Sequence, residues 1–302
     1  MATAYLSKTF AQAGNRRTFT ISYWIKMGFF STGADAAIMG AAQDGSNSDD
    51  LYIHTGRLNF SGYYGSTQYQ VRTNARYVDM SGWYHHVIRF DTTQSTASDR
   101  LRLYVNGEVQ TDLANNTYPS QDFQTTYMNT ARLHTIGSIA HSAPNLPFNG
   151  QMAHFHFTDG YSYAASTFGE TDVTTGIWKP KTAPSVTYGT NGFFLKFDNS
   201  ANMGLDSSGQ GNNWTTNGTI IQNKDTPSNV FACLNPSARR ITTNAPTYKN
   251  VNNTLQGQTG NGQNNNAIAT LGDLAKGKYY FECKVQTVGD DFGVGICDDP
   301  VN

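Results

Sequence analysis

Short stretches in which apolar and polar residues alternate recur through the first two hundred residues. In residues 19–26, every second position from Phe19 to Ile25 is apolar, and the positions between them carry Thr, Ser, Trp and Lys. Successive side chains of a β-strand point to opposite faces, so this period of two predicts a strand with one face in the core. The same reasoning predicts strands at residues 4–8, 50–54, 57–60, 83–91, 101–105, 108–113, 132–139, 150–158 and 193–198.

Turn signals separate these predicted strands. Asn106-Gly107 lies between the runs at 101–105 and 108–113. Asn-Gly favours a two-residue hairpin, because both central residues of a type I′ turn have positive φ. The strand pattern weakens at residues 164–168, where we predict one short helical turn.

The alternating pattern also fades after residue 200. Residues 201–266 are rich in Gly, Asn, Gln and Thr, a composition that buries little apolar surface, so we interpret them as a connecting segment. Strand patterns return at 278–285 and 292–296. We therefore predict a sandwich at 1–200, the connecting segment, and the start of a second, incomplete β-domain at 267–302.

Composition supports an all-β chain and argues against several function classes. Only three of the 22 acidic residues are glutamates, while there are 29 glycines and 28 asparagines, so helix formers are scarce and turn formers abundant. This argues against a helical bundle or a Rossmann-type enzyme. The formal net charge of −1 leaves no basic surplus for binding nucleic acid. No apolar run approaches the ~20 residues of a membrane span.

Cysteine usage and the N-terminal segment bear on the compartment. The three cysteines, Cys233, Cys283 and Cys297, are odd in number and confined to the last quarter, so a disulfide framework is not indicated. The N-terminal segment has no apolar signal core, which indicates synthesis in the cytosol rather than export.

Five motifs follow one another in an order found in a known family of sandwiches. They are Phe19-Thr-Ile-Ser-Tyr-Trp-Ile25, Gly82-Trp-Tyr-His-His86, Arg102-Leu-Tyr-Val-Asn-Gly107, Ile136-Gly-Ser138 and Phe148-Asn-Gly-Gln-Met-Ala-His154. Across residues 3–200, their order and spacing resemble the laminin-G-like, concanavalin A-like jelly roll. The resemblance implies two apposed antiparallel sheets whose first and last strands are adjacent, here residues 4–8 and 193–198.

Narrower motifs flank this region. Asp159-Gly-Tyr161, Thr175-Gly-Ile-Trp-Lys-Pro-Lys181 and the stretch from Asp206-Ser-Ser-Gly209 to Trp214 resemble parts of virion proteins of tailed bacteriophages. This resemblance implies a virion protein of a tail fibre, an appendage or the capsid surface, which forms homo-oligomers and contacts other virion proteins. Gly277-Lys-Tyr-Tyr-Phe-Glu-Cys283 is similar to the opening strands of a SPRY-type β-sandwich.

Concanavalin A-like folds include glycoside hydrolases, so the acidic residues bear on catalysis. Retaining hydrolysis needs two carboxyl groups ~5–5.5 Å apart, which hydrolases of this fold present on alternate residues of one strand. Here the glutamates are isolated, and Asp49-Asp50, Asp290-Asp291 and Asp298-Asp299 are adjacent pairs. Adjacent carboxyl groups on a strand point to opposite faces, and we interpret these pairs as turn residues. We therefore expect no enzymatic activity.

Two histidines are considered as metal ligands. Alternation in residues 150–158 predicts that Met152, His154 and His156 share one face, and two imidazoles at this spacing can chelate a metal ion. His141, His85 and His86 are the residues available as a third ligand. The alternative is a pair of histidines on the polar face of a sheet, and we favour it.

Calcium is the second metal considered. The resemblance implies a sheet-rim site for Ca²⁺, since laminin-G-like domains often hold this ion with Asp, Asn and carbonyl oxygens. Asp198 and Asp206, with Asn199 and Asn213, form such an oxygen-rich set. The alternative is that these residues serve only as turn formers.

Carbohydrate recognition is the more specific candidate function. Sugars stack their C–H faces on aromatic rings and bond their hydroxyls to Asn, Asp and Gln side chains. Six tyrosines lie in or beside polar segments and are the candidates for contact with a glycan or partner; the alternative, packing within the sandwich or a subunit interface, is favoured for any one of them. They are Tyr52, Tyr63, Tyr64, Tyr69, Tyr118 and Tyr127.

Together these expectations describe a non-enzymatic virion structural protein whose lectin-like sandwich contacts other subunits and adheres to host-surface polysaccharide. Nucleic acid and membrane are not among its expected partners, and no cofactor other than Ca²⁺ is considered. A Ca²⁺-dependent soluble lectin is the first alternative, and a polysaccharide depolymerase, which would need aspartates brought together from distant strands, is the second.

Overall fold

The computed structural model describes residues 4–28, 35–140 and 144–235, together with short stretches at 247–249, 252–257, 267–269, 282–285, 287 and 294–295. The chain divides into two compact units, Met1–Val230 and Phe231–Asn302. Within the described part of the first unit, helical structure is limited to α1 (Ala97–Arg100) and a 3₁₀ turn at Ala165–Thr167. The predicted all-β class and the short helical turn are both confirmed.

Most of the predicted runs of the first unit correspond to strands, and the structure adds strands that the alternation did not predict. In chain order they are β1 (Tyr5–Thr9), β2 (Thr18–Met27), β3 (Asp35–Asp44), β4 (Asn47–His54), β5 (Arg57–Tyr64), β6 (Thr67–Thr73), β7 (Tyr84–Asp91), β8 (Leu101–Val105), β9 (Glu108–Val109), β10 (Leu113–Thr117), β11 (Leu133–Ile136), β12 (Ile139–Ala140), β13 (Pro144–Asn145), β14 (Gly150–Asp159), β15 (Gly169–Thr171), β16 (Trp178–Pro180), β17 (Phe193–Leu195) and β18 (Thr215–Asn217).

Two antiparallel sheets enclose the core. One has eight strands in the order β10-β6-β5-β4-β3-β11-β1-β18, and the other has six in the order β17-β14-β2-β7-β8-β9. Their facing side chains form one apolar cluster. The ring of Phe19 stacks on Phe90 at 4.7 Å and meets Phe60 of the opposite sheet edge-on at 6.2 Å. The concanavalin A-like sandwich predicted from the sequence is therefore present.

The six-stranded sheet is buried on its outer face as well. In β2 the odd positions face the core as predicted, yet Trp24 and Lys26 on the opposite face are also buried. A second apolar cluster explains part of this burial, because Phe168 and Trp178 of the following segment pack over Val87 and its neighbours. Strand β2 is therefore covered on both sides.

A β-bulge changes the predicted faces of β14. The register with β2 shifts between Ala153 and His156, and His154 has a φ of 48°. Met152 pairs with Ile25 and packs against the core, whereas His156 pairs with Ser22 on the outer face. The prediction that Met152 shares a face with His156 is wrong, because the extra residue of a bulge reverses the alternation.

The first strand of the sandwich pairs with a different segment from the one that the resemblance implies. Strand β1 lies between β11 and β18, while β17 pairs with β14 of the other sheet, so the predicted pairing of residues 4–8 with 193–198 is wrong. Closure by β18 extends the sandwich beyond residue 200. Trp214, just before β18, is buried with its ring 4.9 Å from Phe193. The predicted boundary at residue 200 is therefore too early, since the first unit extends to Val230.

The predicted hairpin at Asn106-Gly107 is confirmed. Asn106 has a φ of 48° and Gly107 one of 90°, and Val105 pairs with Glu108 across the turn. The returning strand β9 is shorter than predicted.

Among the described residues, no helix has the length and apolar character of a membrane span.

The second unit contains two short antiparallel pairs in its described part. Strand β19 (Leu234–Asn235) pairs with β22 (Ile268–Ala269), and β20 (Thr247–Lys249) pairs with β21 (Thr254–Gln256). Most of the strands predicted at 278–285 and 292–296 falls outside the described residues, and the described residues 282–285 are not in a strand. The SPRY-like interpretation of 267–302 stays a prediction.

Candidate functional site

A polar surface covers the outer face of the eight-stranded sheet where β4, β5 and β6 lie side by side. Leu51, Phe60 and Val71 from these strands point into the core, so the residues between them point outward. The pairing sets Tyr52 opposite Asn59. We call the outward set the outer patch; its members are Tyr52, Asn59, Ser61, Tyr63, Gln70 and Arg72.

One amide, the fully buried side chain of Asn59, organises the hydrogen bonds of the outer patch from beneath its more exposed members. Gln70 Nε2 donates to Asn59 Oδ1 at 3.1 Å, and Arg72 Nε donates to the same oxygen at 3.0 Å. Asn59 Nδ2 donates in turn to Ser61 Oγ at 3.2 Å. Tyr52 lies opposite Asn59 in the neighbouring strand, and burial raises the pKa of its phenol. These side chains are therefore held in place by one another on a rigid sheet.

Asp50 and Ile139 border the outer patch. A Cβ added at Gly40 would lie 2.9 Å from Asp50 Oδ1 and 3.1 Å from Ile139 Cγ1, so this glycine leaves room for both side chains over β3. Ser48 Oγ donates to one carboxylate oxygen, while Asp50 Oδ1 is buried without a hydrogen-bond partner among the described residues. Burial, and then the charge of Asp49, raise the pKa of Asp50 to about 7.

Asp49 and Asp50 point to opposite faces of β4, as predicted for adjacent carboxyl groups on a strand. The interpretation of this pair as turn residues is wrong, because both lie within the strand. The other two aspartate pairs, 290–291 and 298–299, lie outside the described residues.

Three of the predicted tyrosines surround the buried carboxylate of Asp49. Tyr64 and Tyr69 donate their phenol hydrogens to Asp49 Oδ1, Tyr69 at 2.7 Å. The backbone N–H groups of Tyr127 and Met128 donate to Asp49 Oδ2 at 2.7 and 2.8 Å. These four hydrogen bonds lower the pKa of Asp49, but burial outweighs them and raises it overall.

This arrangement narrows the set of contact candidates. Tyr69 and Tyr127 are buried, which fits the packing alternative and removes them as candidates for glycan or partner contact. Tyr64 is partly buried and uses its phenol to bind Asp49. Of the six tyrosines, Tyr52 and Tyr63 lie on the outer patch, and Tyr63 is 42% exposed.

Tyr118, the last of the six, lines a cleft at the open edge of the sandwich. The cleft has a volume of about 280 Å³ and lies between the β6–β10 edge of one sheet and the β8–β9 edge of the other. Leu103 and Val71 contribute apolar surface. Arg102 and Gln110 contribute polar groups, but the guanidinium of Arg102 is already paired with a carboxylate. We call this the edge cleft.

The carboxylate of Asp206 is engaged in ordering its own loop. Its Oδ1 accepts from the N–H groups of Phe194 and Ser208, and its Oδ2 from Ser208 Oγ and the N–H of Asn212. The side chain of Asn213 accepts from the Asp206 N–H. These contacts fit the turn-forming alternative.

Asp198 is exposed, and the side-chain oxygen of Asn199 accepts a hydrogen bond from the backbone N–H of Ala201. Within the described stretches there is no group of three His, Cys, Asp or Glu side chains that could hold a metal ion. The calcium site stays a prediction.

The histidines on the outer face of the six-stranded sheet are engaged by aromatic side chains. His156 Nδ1 lies 2.9 Å from the Tyr188 hydroxyl, and its ring stacks on Phe194 at 3.9 Å. His154 lies 6.0 Å from the same ring. Trp178 Nε1 donates to His85 Nδ1 at 3.0 Å, and burial lowers the pKa of His85 to about 3. This is a packed layer of neutral rings.

The sequence did not single out the amide and guanidinium groups of the outer patch. Asn59, Gln70 and Arg72 look like ordinary outward residues in their own strands. Only the register places Asn59 beside Arg72 across two strands. The sequence signal that could have placed Gln70 and Arg72 on the outer face is the alternation in β6, a segment that was not predicted as a strand.

The sandwich and its polar sheet face define a lectin-like β-sandwich protein. A model of the concanavalin A-like lectin/glucanases superfamily matches residues 2–165, more than half of the chain. The chain belongs to this superfamily. No curated protein matches it at a significant level.

Several solved structures are similar to the chain at low sequence identity. A heptameric SAP-like pentraxin from Limulus polyphemus is 16% identical, with 54% of this chain and 72% of the pentraxin covered and a TM-score of 0.39. A putative carbohydrate-binding protein from Bacteroides ovatus is 18% identical, with 74% and 58% covered and a TM-score of 0.43. Mouse laminin α1 domains LG4-5 are 13% identical, with 53% and 40% covered and a TM-score of 0.37. These similarities assign no ligand to the chain.

Proposed function

We propose that the chain is a non-enzymatic structural protein of a bacteriophage particle that adheres to host-surface polysaccharide through the outer patch. The observation that supports adhesion is the pair Gln70 and Arg72 beside the ring of Tyr52; both donate to the buried side chain of Asn59, which holds them in place beneath the surface. Its place would be a tail fibre, an appendage or the capsid surface, as the resemblance of residues 159–161, 175–181 and 206–214 to virion proteins implies.

The chemistry of the outer patch suits a saccharide. A sugar presents hydroxyl groups that donate and accept hydrogen bonds, and the patch offers amide, hydroxyl and guanidinium groups on one rigid face. Tyr63 adds an exposed ring against which C–H groups can pack. Since these side chains are already ordered by one another, binding would cost little side-chain entropy.

Adhesion by an open sheet face is expected to be weak for one copy. A flat patch buries less of a ligand than an enclosed pocket does, so we expect millimolar affinity for a single site. Homo-oligomerisation would multiply the contacts, and linked copies can exceed single-site affinity by about 10²–10⁴. We therefore expect the chain to act as a multivalent adhesin rather than as a tight single-site receptor.

A glycan array of bacterial surface polysaccharides tests this proposal. Wild type, as a multivalent fusion, should bind; Gln70→Ala should lose most of the signal, and Gln110→Ala, the matched change in the edge cleft, should not. Loss only with Gln110→Ala would move the site to the edge cleft. No binding by wild type would refute the adhesion.

Two further arms address the alternatives. Binding abolished by a chelator and restored by Ca²⁺ would favour the calcium-dependent lectin. Release of reducing ends from a bound polysaccharide would favour the depolymerase. For the virion assignment, an antibody against the chain should decorate purified particles in electron micrographs, and labelling absent from all particles would contradict it.

A further inference from the structure

The charged groups of the outer patch are not balanced. Arg72 forms no ion pair with a carboxylate in the described part of the chain, and neither does Arg57, which lies on the same face two residues before Asn59. Of the acids on this face, Asp35 is engaged by His54 Nδ1 at 2.8 Å. The outer patch therefore carries an uncompensated guanidinium.

The guanidinium of Arg72 also has free donors. A guanidinium has five N–H donors, of which Arg72 uses Nε for Asn59 Oδ1. The remaining donors have no partner among the described residues. The bond to the buried Asn59 side chain restricts the guanidinium, so the planar fork that matches a carboxylate is partly oriented before a ligand arrives.

Asp50 does not cancel this positive charge. It lies two residues before Tyr52 on the same face, opposite Ser61, whereas Arg72 lies opposite Asn59, and no ion pair joins the two side chains. Burial also raises its pKa to about 7, so part of the carboxyl groups are neutral near pH 7. Arg57 Nε, in addition, is buried without a partner among the described residues. The face thus favours an anionic group near Arg72 over a purely neutral ligand.

We propose that the ligand of the outer patch is a carboxylated saccharide whose carboxylate binds Arg72 and whose ring lies against Tyr52 and Tyr63. This inference rests on the proposed glycan adhesion and narrows its ligand class. A carboxylate fits better than a phosphodiester, because the formal net charge of −1 leaves no basic surplus for binding a phosphate backbone.

Carboxyl reduction separates this inference from the proposed function. Alginate, polygalacturonate and polysialic acid are immobilised in native form and after conversion of their carboxyl groups to neutral alcohols, beside dextran sulfate. Wild type should bind at least one native polymer and lose that binding after reduction. Equal binding to both forms overturns the inference but leaves the adhesion intact. Preference for dextran sulfate also overturns it. Binding to none of these surfaces overturns the inference, whereas the adhesion itself is refuted only if the glycan array also gives no binding.

Variants of Arg72 test whether the carboxylate of the polymer binds at this residue. Arg72→Gln should weaken binding to the native polymer by about tenfold or more, since a hydrogen-bonded ion pair is lost. Arg72→Lys keeps the charge without the planar fork and should give a smaller loss. Arg102→Gln, the same charge change in the edge cleft, should bind as wild type does. Unchanged binding by both Arg72 variants, or an equal loss with Arg102→Gln, overturns the inference.

Discussion

Lys26 Nζ lies 2.8 Å from Asp225 Oδ2, and the two side chains are only 1% and 2% exposed. They are 199 residues apart in the sequence. Trp83 Nε1 donates to the other carboxylate oxygen of Asp225 at 3.1 Å. This ion pair fastens the segment around residue 225 to the outer face of the six-stranded sheet, and it explains why a lysine occurs in a strand that is covered on both sides.

Removing the lysine should be costly. Lys26→Met leaves the Asp225 carboxylate buried without its cation, so we expect the free energy of unfolding to fall by about 3–5 kcal/mol, measured by urea denaturation. The double variant Lys26→Met, Asp225→Leu removes both charges and should recover most of that loss. A double variant no more stable than the single one would show that the ion pair is not the source of the cost.

The tyrosines around Asp49 should affect stability but not adhesion. Tyr69→Phe removes a buried hydrogen bond to a carboxylate, and we expect a loss of about 1.5–3 kcal/mol in urea denaturation. Binding on the glycan array should be unchanged, because this phenol lies on the core side of the sheet. Reduced binding by a fully folded Tyr69→Phe protein would contradict the structural role.

Asp50 should make stability depend on pH. Its pKa is about 7 in the folded protein against an ordinary value of 3.8, so between these values the folded state retains a proton that the unfolded state has lost. The free energy of unfolding should therefore fall as pH rises from about 4 to 7, and level off above. Between pH 5 and 8 this group contributes a loss of about 3 kcal/mol.

Asp50→Asn isolates this contribution. The variant cannot ionise, so its stability relative to wild type should rise by the same amount between pH 5 and pH 8. Urea denaturation at both pH values gives the comparison. An identical difference between variant and wild type at the two pH values would rule out the raised pKa.

The turn at Gly107 should tolerate no side chain. Its φ is 90°, and an added Cβ would lie 2.9 Å from the ring of Trp178. Gly65 also has a positive φ, 68°, but an added Cβ there meets nothing within 4 Å. We expect Gly65→Ala to cost about 1–2 kcal/mol from backbone strain alone, and Gly107→Ala to cost more in thermal denaturation. Equal losses of stability for Gly65→Ala and Gly107→Ala would show that the Trp178 ring moves aside for the added methyl group.

Local alternation was sufficient for most strands of the sandwich. The strand predicted at 101–105 has the same bounds as β8. The strand predicted at 83–91 is β7, which begins one residue later, at Tyr84. Strand β3 was missed because Ala and Gly dominate it and give no period of two. The β14 bulge and the closure by β18 depend on pairing partners far along the chain, which a local pattern does not contain.

The outer patch was only partly predictable for the same reason. The sequence indicates Tyr52 and Tyr63 as contact candidates because they are aromatic residues in polar stretches. Asn59 and Arg72 are distant in the sequence, and only the register of β5 with β6 places them side by side. Tyr69 was also a candidate because of its polar neighbours, but its own position in β6 points inward to Asp49.

Hydroxyl-radical footprinting tests the central claim, that saccharide binds the outer face of the eight-stranded sheet. The chain is oxidised with and without the polysaccharide that it binds most strongly on the array, and the modification of individual tyrosines is read by mass spectrometry. The account predicts protection of Tyr52 and Tyr63 with no change at Tyr118 in the edge cleft. Protection of Tyr118 with Tyr52 and Tyr63 unchanged would contradict it.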